Sequence, residues 1–125
     1  MTVLTEPRRD GEFILNEVNG GGNFSRDTIV IASGAGKVQP GTALGKVTAS
    51  GKYVPSPATG SDGSQTAVAL NVAYVDATSA DVKVAAITRS TEVNGKILAY
   101  DSTVNDDTKK AAKATQLAAV GIIVR

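Results

Sequence analysis

The stretch Ser33-Gly34-Ala35-Gly36-Lys37-Val38 comes nearest to a chemical motif in this chain, because a glycine-rich turn followed by lysine is a common cradle for phosphate. Two requirements fail. Val38 follows the lysine where a magnesium-binding hydroxyl is needed, and Ile31 stands where the first glycine belongs. Gln39 at the third glycine position removes a dinucleotide fingerprint in the same way. A turn between two strands is the expected role of these glycines. Asp106 and Asp107 are adjacent carboxylates, but neighbours on a helix diverge by about 100° and do not converge on one ion. They suit the positive end of a helix dipole instead. Asp62-Gly63, Asp76 and Asp81 read as loop carboxylates, since a calcium loop needs more oxygen ligands at fixed spacing. No metal site and no cofactor are expected. Asn23-Phe24-Ser25 matches a glycosylation sequon, yet the first residues lack the apolar core of a secretion signal, so the match is read as accidental.

Composition narrows the chemistry further. The chain has neither His nor Cys, which removes imidazole relays, histidine metal triads, disulfides and thiolate catalysis. An enzyme would have to use carboxylates, Lys, Ser or Tyr, and no such set converges; the expectation is a protein that is not an enzyme. With 13 basic and 12 acidic residues the net charge is +1, too little to concentrate nucleic acid or an anionic membrane. Arg8-Arg9 lies beside Asp10 and Glu12 and reads as part of a solvated arm, with no direct nucleic-acid binding. No apolar run approaches the roughly 20 residues of a membrane span, so the expectation is a soluble protein made in a cytosol. Tyr53, Tyr74 and Tyr100 are too dispersed for a base-stacking platform, and packing is their default role.

What remains is architecture. At 125 residues the chain is one domain by length, divided here into an arm at residues 1–12 and a body at 13–125. Ala and Val dominate the apolar residues, aromatics are only 4% and Trp is absent. Small side chains favour thin layers, and such a domain gains from oligomer contacts. Phe13-Ile14-Leu15 is the first apolar anchor. Asn19-Gly20-Gly21-Gly22-Asn23 is irregular, because consecutive glycines maximise backbone freedom. Thr28 to Ala32 is a buried strand ended by Ser33 to Gly36. From Thr66 to Tyr74, Val68, Leu70, Val72 and Tyr74 share one face; Ala67, Ala69, Asn71 and Ala73 share the other, which is small enough to be covered by another layer or subunit. Val82 to Thr88 is a half-buried strand. Asn94-Gly95 fits a type I′ hairpin into a strand at Ile97-Leu98-Ala99-Tyr100. Asn105 is the expected N-cap of a helix with a stripe of Ala111, Ala114, Leu117 and Ala118; Gly121 stops it, and Ile122-Ile123-Val124 is a last strand. The fold class is α+β and β-rich: a small single domain of short strands and hairpins, one short C-terminal helix and a flexible N-terminal arm. In that arm Thr2-Val3-Leu4-Thr5 has strand propensity, precedes Pro7, and has no local partner. The residues alone leave it either as a strand that adds to another protein's sheet edge or as a disordered tail.

The order of the pieces resembles a known family. Pro40-Gly41-Thr42-Ala43-Leu44-Gly45-Lys46-Val47 is closed by Gly51-Lys52-Tyr53-Val54-Pro55, followed by Gly60-Ser61-Asp62-Gly63-Ser64. Asp106-Asp107-Thr108-Lys109-Lys110-Ala111-Ala112 then leads to the tail Gly121-Ile122-Ile123-Val124-Arg125. Over the C-terminal two-thirds this order is similar to the head decoration proteins of tailed phages, the lambda gpD-like family; Gly11 to Leu15 with Ser25-Arg26-Asp27 matches it more loosely. The resemblance implies a homotrimer on the outer surface of a virion capsid, with the major capsid protein as partner. It further implies a cementing role that stabilises the expanded shell against DNA pressure, and a capsid-binding arm made of Thr2, Val3, Leu4, Thr5, Glu6, Pro7, Arg8 and Arg9. The alternative reading is a β-module of a tail or baseplate, or a carbohydrate-binding surface domain; the scarcity of aromatics counts against sugar binding.

Overall fold

Three strands of this chain bury residues on both faces, and the arrangement of everything else follows from what covers them. The computed structural model describes residues 9–17 and 25–125. Among these residues a barrel closes in the order β2 (Arg26–Ile31), β5 (Tyr53–Pro55), β4 (Ala43–Lys46), β6 (Ala67–Asn71) and β8 (Val82–Ile87). β2 and β8 pair antiparallel from Arg26↔Ile87 to Ile31↔Val82. β4 pairs antiparallel with both β5 and β6, and the parallel contact Ile31↔Tyr53 completes the ring. β3 (Gly36–Val38) and β7 (Val75–Ala77) form an antiparallel pair. A separate sheet has the order β1 (Ile14–Glu17), β9 (Thr91–Val93), β10 (Ile122–Val124), and α1 (Asp107–Ala119) packs on β10 and β6.

Two apolar cores result. One gathers Ile29, Ile31, Leu44, Ala69, Val84 and Ala86 from the barrel strands with Val38, Val75 and Ala77 from β3 and β7. The other gathers Phe13, Ala43, Ala67, Leu70 and Ile87 with Val93, Leu98, Leu117 and Ile122. Adjacent residues therefore serve different cores: Ala43 and Leu44 on β4, Ala69 and Leu70 on β6, Ala86 and Ile87 on β8. The small face of β6 is covered by this same chain.

The expected alternation from Thr66 to Tyr74 does not hold along its length. Leu44 pairs with Ala69 while Gly45 pairs with Ala67, so Val68 is the extra residue of a bulge that resets which side each residue faces. The strand then stops at Asn71. Buried Asn71 accepts from Thr42 N at 3.0 Å and donates to Gln39 O at 2.9 Å and Ala73 O at 2.8 Å. Its amide thus holds the Gln39 to Thr42 block onto the end of β6. Gly41 sits there at φ 77°, with the Phe13 ring 2.9 Å from where a Cβ would be.

Other expectations are corrected by the same geometry. β2 is half-buried, with Ile29 and Ile31 inward and Thr28 exposed. Ser33 to Gly36 forms the turn between β2 and β3. Asn94-Gly95 is no type I′ hairpin: Asn94 is extended at φ −85° and caps a single 3-10 turn, Gly95–Ile97, accepting from Lys96 N. Glycine is required at 95 because a Cβ would lie 2.7 Å from Val124 Cγ1. Instead of a strand at 97–100, one parallel bridge joins Ala99 to Thr42. Leu15 departs from the apolar anchor and is 53% exposed, while Phe13 is fully buried.

The helix starts one residue later than expected. Asp106, with φ −138°, is the N-cap and accepts from Lys109 N at 2.8 Å; Asn105 takes the Lys109 ammonium. Gly121 ends the helix at φ 85°. Its buried residues are Lys113 and Leu117, whereas Ala111 and Ala118 of the expected stripe are exposed. A stripe read from hydrophobicity alone passes over Lys113, whose Nζ donates to Ser56 Oγ at 2.9 Å, Pro57 O at 2.6 Å and Gln65 O at 2.6 Å. Gln116 Oε1 accepts from Ala67 N at 2.8 Å. These two side chains fasten the 56–67 segment to the helix, and Gly45 lies flat against Ser64 in that segment. Burial pushes the Lys113 ammonium below the ordinary lysine value, against the pull of Asp101.

Gly45→Ala places a methyl group on the Ser64 backbone carbonyl, and the expected cost is about 1–3 kcal/mol. A lower urea midpoint at unchanged slope measures it. Lys113→Met orphans the Pro57 and Gln65 carbonyls, with an expected loss of about 1–3 kcal/mol; unchanged stability would contradict the cage. Asp62 accepts from both Ser64 N and Oγ, Asp76 does the same with Thr78, and Asp27 accepts from Arg89 and Thr88. These bonds hold all three carboxyls below the ordinary aspartate value of 3.8. The unfolded chain therefore takes up protons first, so the stability these groups contribute is present above 3.8 and is lost as pH falls through their depressed values. Thermal melts from pH 6 to pH 2 are expected to show a falling midpoint only on the acid side of about pH 4.

Candidate functional site

Residues 9–14, at the end of the expected arm, form a turn that sequence patterning does not mark. Glu12 N donates to Arg9 O at 3.4 Å and Ile14 N to Gly11 O at 3.1 Å. Gly11 holds φ 70° there, a conformation in which L side chains are strained. Two bonds tie this turn to the connection after β6: Gly11 N donates to Val72 O at 2.9 Å, and Tyr74 N to Asp10 Oδ1 at 3.3 Å. Phe13 follows and is fully buried in the core it shares with Val93, Leu98, Leu117 and Ile122. Residues 10–13 are thereby fixed by one backbone bond and one bond to the Asp10 carboxylate on one side and a buried ring on the other. Of the candidate arm residues, Thr2, Val3, Leu4, Thr5, Glu6, Pro7 and Arg8 lie outside the described residues; Arg9 is described and exposed. Asn19 to Asn23 also lie outside them, between the ends of β1 and β2. Those ends are joined by Arg26 Nε donating to the buried Glu17 Oε1 at 2.8 Å.

Large apolar side chains emerge beside this turn and on the sheet it feeds. Tyr74 is 45% exposed, Leu15 on β1 53% and Ile123 on β10 37%. Ile123 and Asn16 both pair with Glu92 on β9, and Leu15 is the bulged residue, since the register shifts between Ile14 and Asn16. Arg125 Nη2 reaches Glu92 Oε1 at 3.4 Å. The outward face of this sheet is therefore two aliphatic side chains flanking a surface ion pair, while its inward residues, Thr91, Val93 and Ile122, are buried.

A groove of about 520 Å³ is lined by Asp27, Lys46, Tyr53, Val68, Thr88 and Arg89 among others. Its carboxylate is engaged: Asp27 Oδ2 accepts from Arg89 Nη2 at 2.6 Å and Thr88 Oγ1 at 2.9 Å, which keeps the acid ionised. Burial raises the Tyr53 phenol, so it holds its proton at neutral pH. An ionised, paired acid beside a protonated phenol offers a polar lining and no poised general base. Among the described residues no three His, Cys, Asp or Glu side chains gather to hold a metal ion, and no helix is long and apolar enough to cross a membrane. Asp106 and Asp107 serve the helix start, and Asp62 and Asp76 organise their own turns.

The sequence carries no signal for the contacts of Asp10, Tyr74 and Lys113: in sequence Asp10 reads as solvated charge and Tyr74 as the end of a strand, and only the fold brings residue 10 to residue 74. No curated protein matches the chain. The family model described as bacteriophage lambda head decoration protein D matches residues 3–122, nearly the whole length. The order of turn block, β-rich body and helix-plus-strand ending thus agrees with an independent match over almost every residue, and the chain belongs to the lambda head decoration protein D family, structural proteins of the phage capsid and virion.

Proposed function

We propose that this protein cements the exterior of a phage or phage-derived head as a homotrimer, binding the major capsid protein and stabilising the expanded shell against internal DNA pressure. Membership of the head decoration family over residues 3–122 is the observation that carries this reading. The role is mechanical, with no catalysis, no cofactor, no direct nucleic-acid binding and no membrane. Three pieces of physical reasoning support it. The arm, residues 2 to 9, springs from a root held by Val72 and Tyr74, so force on the arm is passed to the barrel. Three arms on one trimer engage neighbouring capsid subunits together, which raises avidity through effective concentration. Preference for the expanded shell over the unexpanded one stabilises the expanded state by linkage. Synthesis in the host cytoplasm precedes assembly onto the finished head.

Removing residues 1–8 leaves Asp10, Gly11 and Phe13 in place, and the truncated protein is expected to keep its fold and its trimer mass by light scattering. Its apparent affinity for expanded, undecorated shells of its own phage is expected to fall by about 100-fold or more, measured by co-sedimentation. Full affinity after truncation would contradict the arm's role, and a monomeric full-length protein that ignores the shells would contradict decoration itself.

A further inference from the structure

We propose that Asn94-Gly95 is a latent site of self-modification, at which the chain attacks its own asparagine, and that docking of β10 holds the site shut. The inference stands apart from the decoration reading. Asparagine before glycine is the pair in which this attack meets least hindrance, because glycine presents its backbone nitrogen with no side chain in the way. The Gly95 nitrogen attacks Asn94 Cγ, the bond from Cγ to Nδ2 breaks, and ammonia leaves with the proton of the Gly95 amide. Water then opens the five-membered imide. Opening at Cγ gives aspartate; opening at the backbone carbonyl carbon gives isoaspartate, whose main chain runs through Cβ and Cγ and is one atom longer.

Each requirement of the attack is blocked in the folded chain. The Gly95 N–H donates to Arg125 O at 3.0 Å, and a donor held in that way gives up its proton less readily. Asn94 has ψ 107°, which turns the Gly95 nitrogen away from the Asn94 side chain, whereas ring closure needs the two on the same side. The side chain is held as well, since Oδ1 accepts from Lys96 N at 3.0 Å. Asn94 N donates to Phe13 O at 2.8 Å. Rotation about ψ must move Gly95, and Gly95 has no room: one added carbon would lie 2.7 Å from Val124 Cγ1 and 3.1 Å from Arg125 O. The last strand is therefore the gate. Arg125, next after β10, is tied back by its N–H to Val93 O at 2.9 Å and by its guanidinium to Glu92 at 3.4 Å. When β10 lifts from β9, the Gly95 nitrogen is freed. The products differ in consequence. Aspartate keeps an acceptor for Lys96 N, but isoaspartate lengthens the chain where Gly95 already touches Val124, so β10 cannot dock as before. A prolonged undocking of the last strand is thus made permanent.

The test follows conversion of Asn94 by peptide mass spectrometry and isoaspartyl methyltransferase labelling, at one mildly alkaline pH and one temperature. The full chain is incubated natively and in concentrated urea, and the second dipeptide of the same kind, Asn19-Gly20, serves as the chemical reference in urea. The expected result is equal conversion of both asparagines in urea, and conversion of Asn94 about tenfold slower or more in the native protein. Arg125→Pro, which removes the N–H that Val93 O accepts, is expected to speed conversion in the native state while circular dichroism shows the body folded. Native conversion of Asn94 at its urea rate overturns the gate. An Asn94 that stays intact in urea while Asn19 converts overturns the site itself. If the isoaspartate form, returned from urea, melts at the parent temperature, its claimed effect on β10 is overturned.

Discussion

Sharing β4, β6 and β8 between two cores is the constraint on which this structure depends. At Ala43-Leu44, Ala69-Leu70 and Ala86-Ile87 the strand has apolar partners on both faces, so neither residue of the pair faces water. The strand also has little thickness to give. Ala43, Ala67, Ala69 and Ala86 occupy those strands and are buried, with Gly45 against Ser64 where even a methyl group has no room. Extra atoms at such positions cost about 1–3 kcal/mol each through displaced neighbours. The scarcity of aromatics is the compositional signature of this geometry. Phe13 is the one aromatic side chain fully buried among the described residues, and Gly41 leaves the space in which its ring lies.

The second consequence is polar. A thin shared wall ends in loops that cannot all reach water, and their backbone groups need partners. Asn71 supplies three bonds at one end of β6, and Lys113 supplies three in the segment that precedes its other end. A buried ammonium among neutral oxygens is costly to desolvate, so its value lies in specifying where the 56–65 segment sits as much as in net stability. The helix is fastened to the barrel through that cation, while Leu117 provides the apolar contact.

These two features explain what could be read from the residues. Strands with one wet face, such as β8 up to Ala86, and the helix stop at Gly121 follow from local rules. β6 departs from its alternation because the bulge at Val68 depends on its partner strand, which its own residues do not show. Asn94-Gly95 carries the residues of a hairpin turn, yet the C-terminal strand passes so close to Gly95 that packing, not positive φ, demands the glycine. Lys113 has no signal in hydrophobic periodicity, which places a charge on the outer face of a helix. Of the candidate site, the expected arm rests on composition and family resemblance, and its residues Thr2 to Arg8 lie outside the described residues. The bond between Asp10 and Tyr74 has no signal in the sequence, because the two are 64 positions apart and meet only in the fold.

The proposed cementing role asks for a body that holds its shape and a chain entry tied to it, and the bonds of residues 10 and 11 to the connection after β6 are consistent with that proposal. The most direct test of that claim is electron cryomicroscopy of expanded shells with and without the bound protein. The account predicts added trimeric density on the outer surface at three-fold positions, with residues 2–9 traced along the major capsid protein and the Asp10–Tyr74 root at the contact. Density that places the root away from the shell, or no added density at saturating protein, would contradict it.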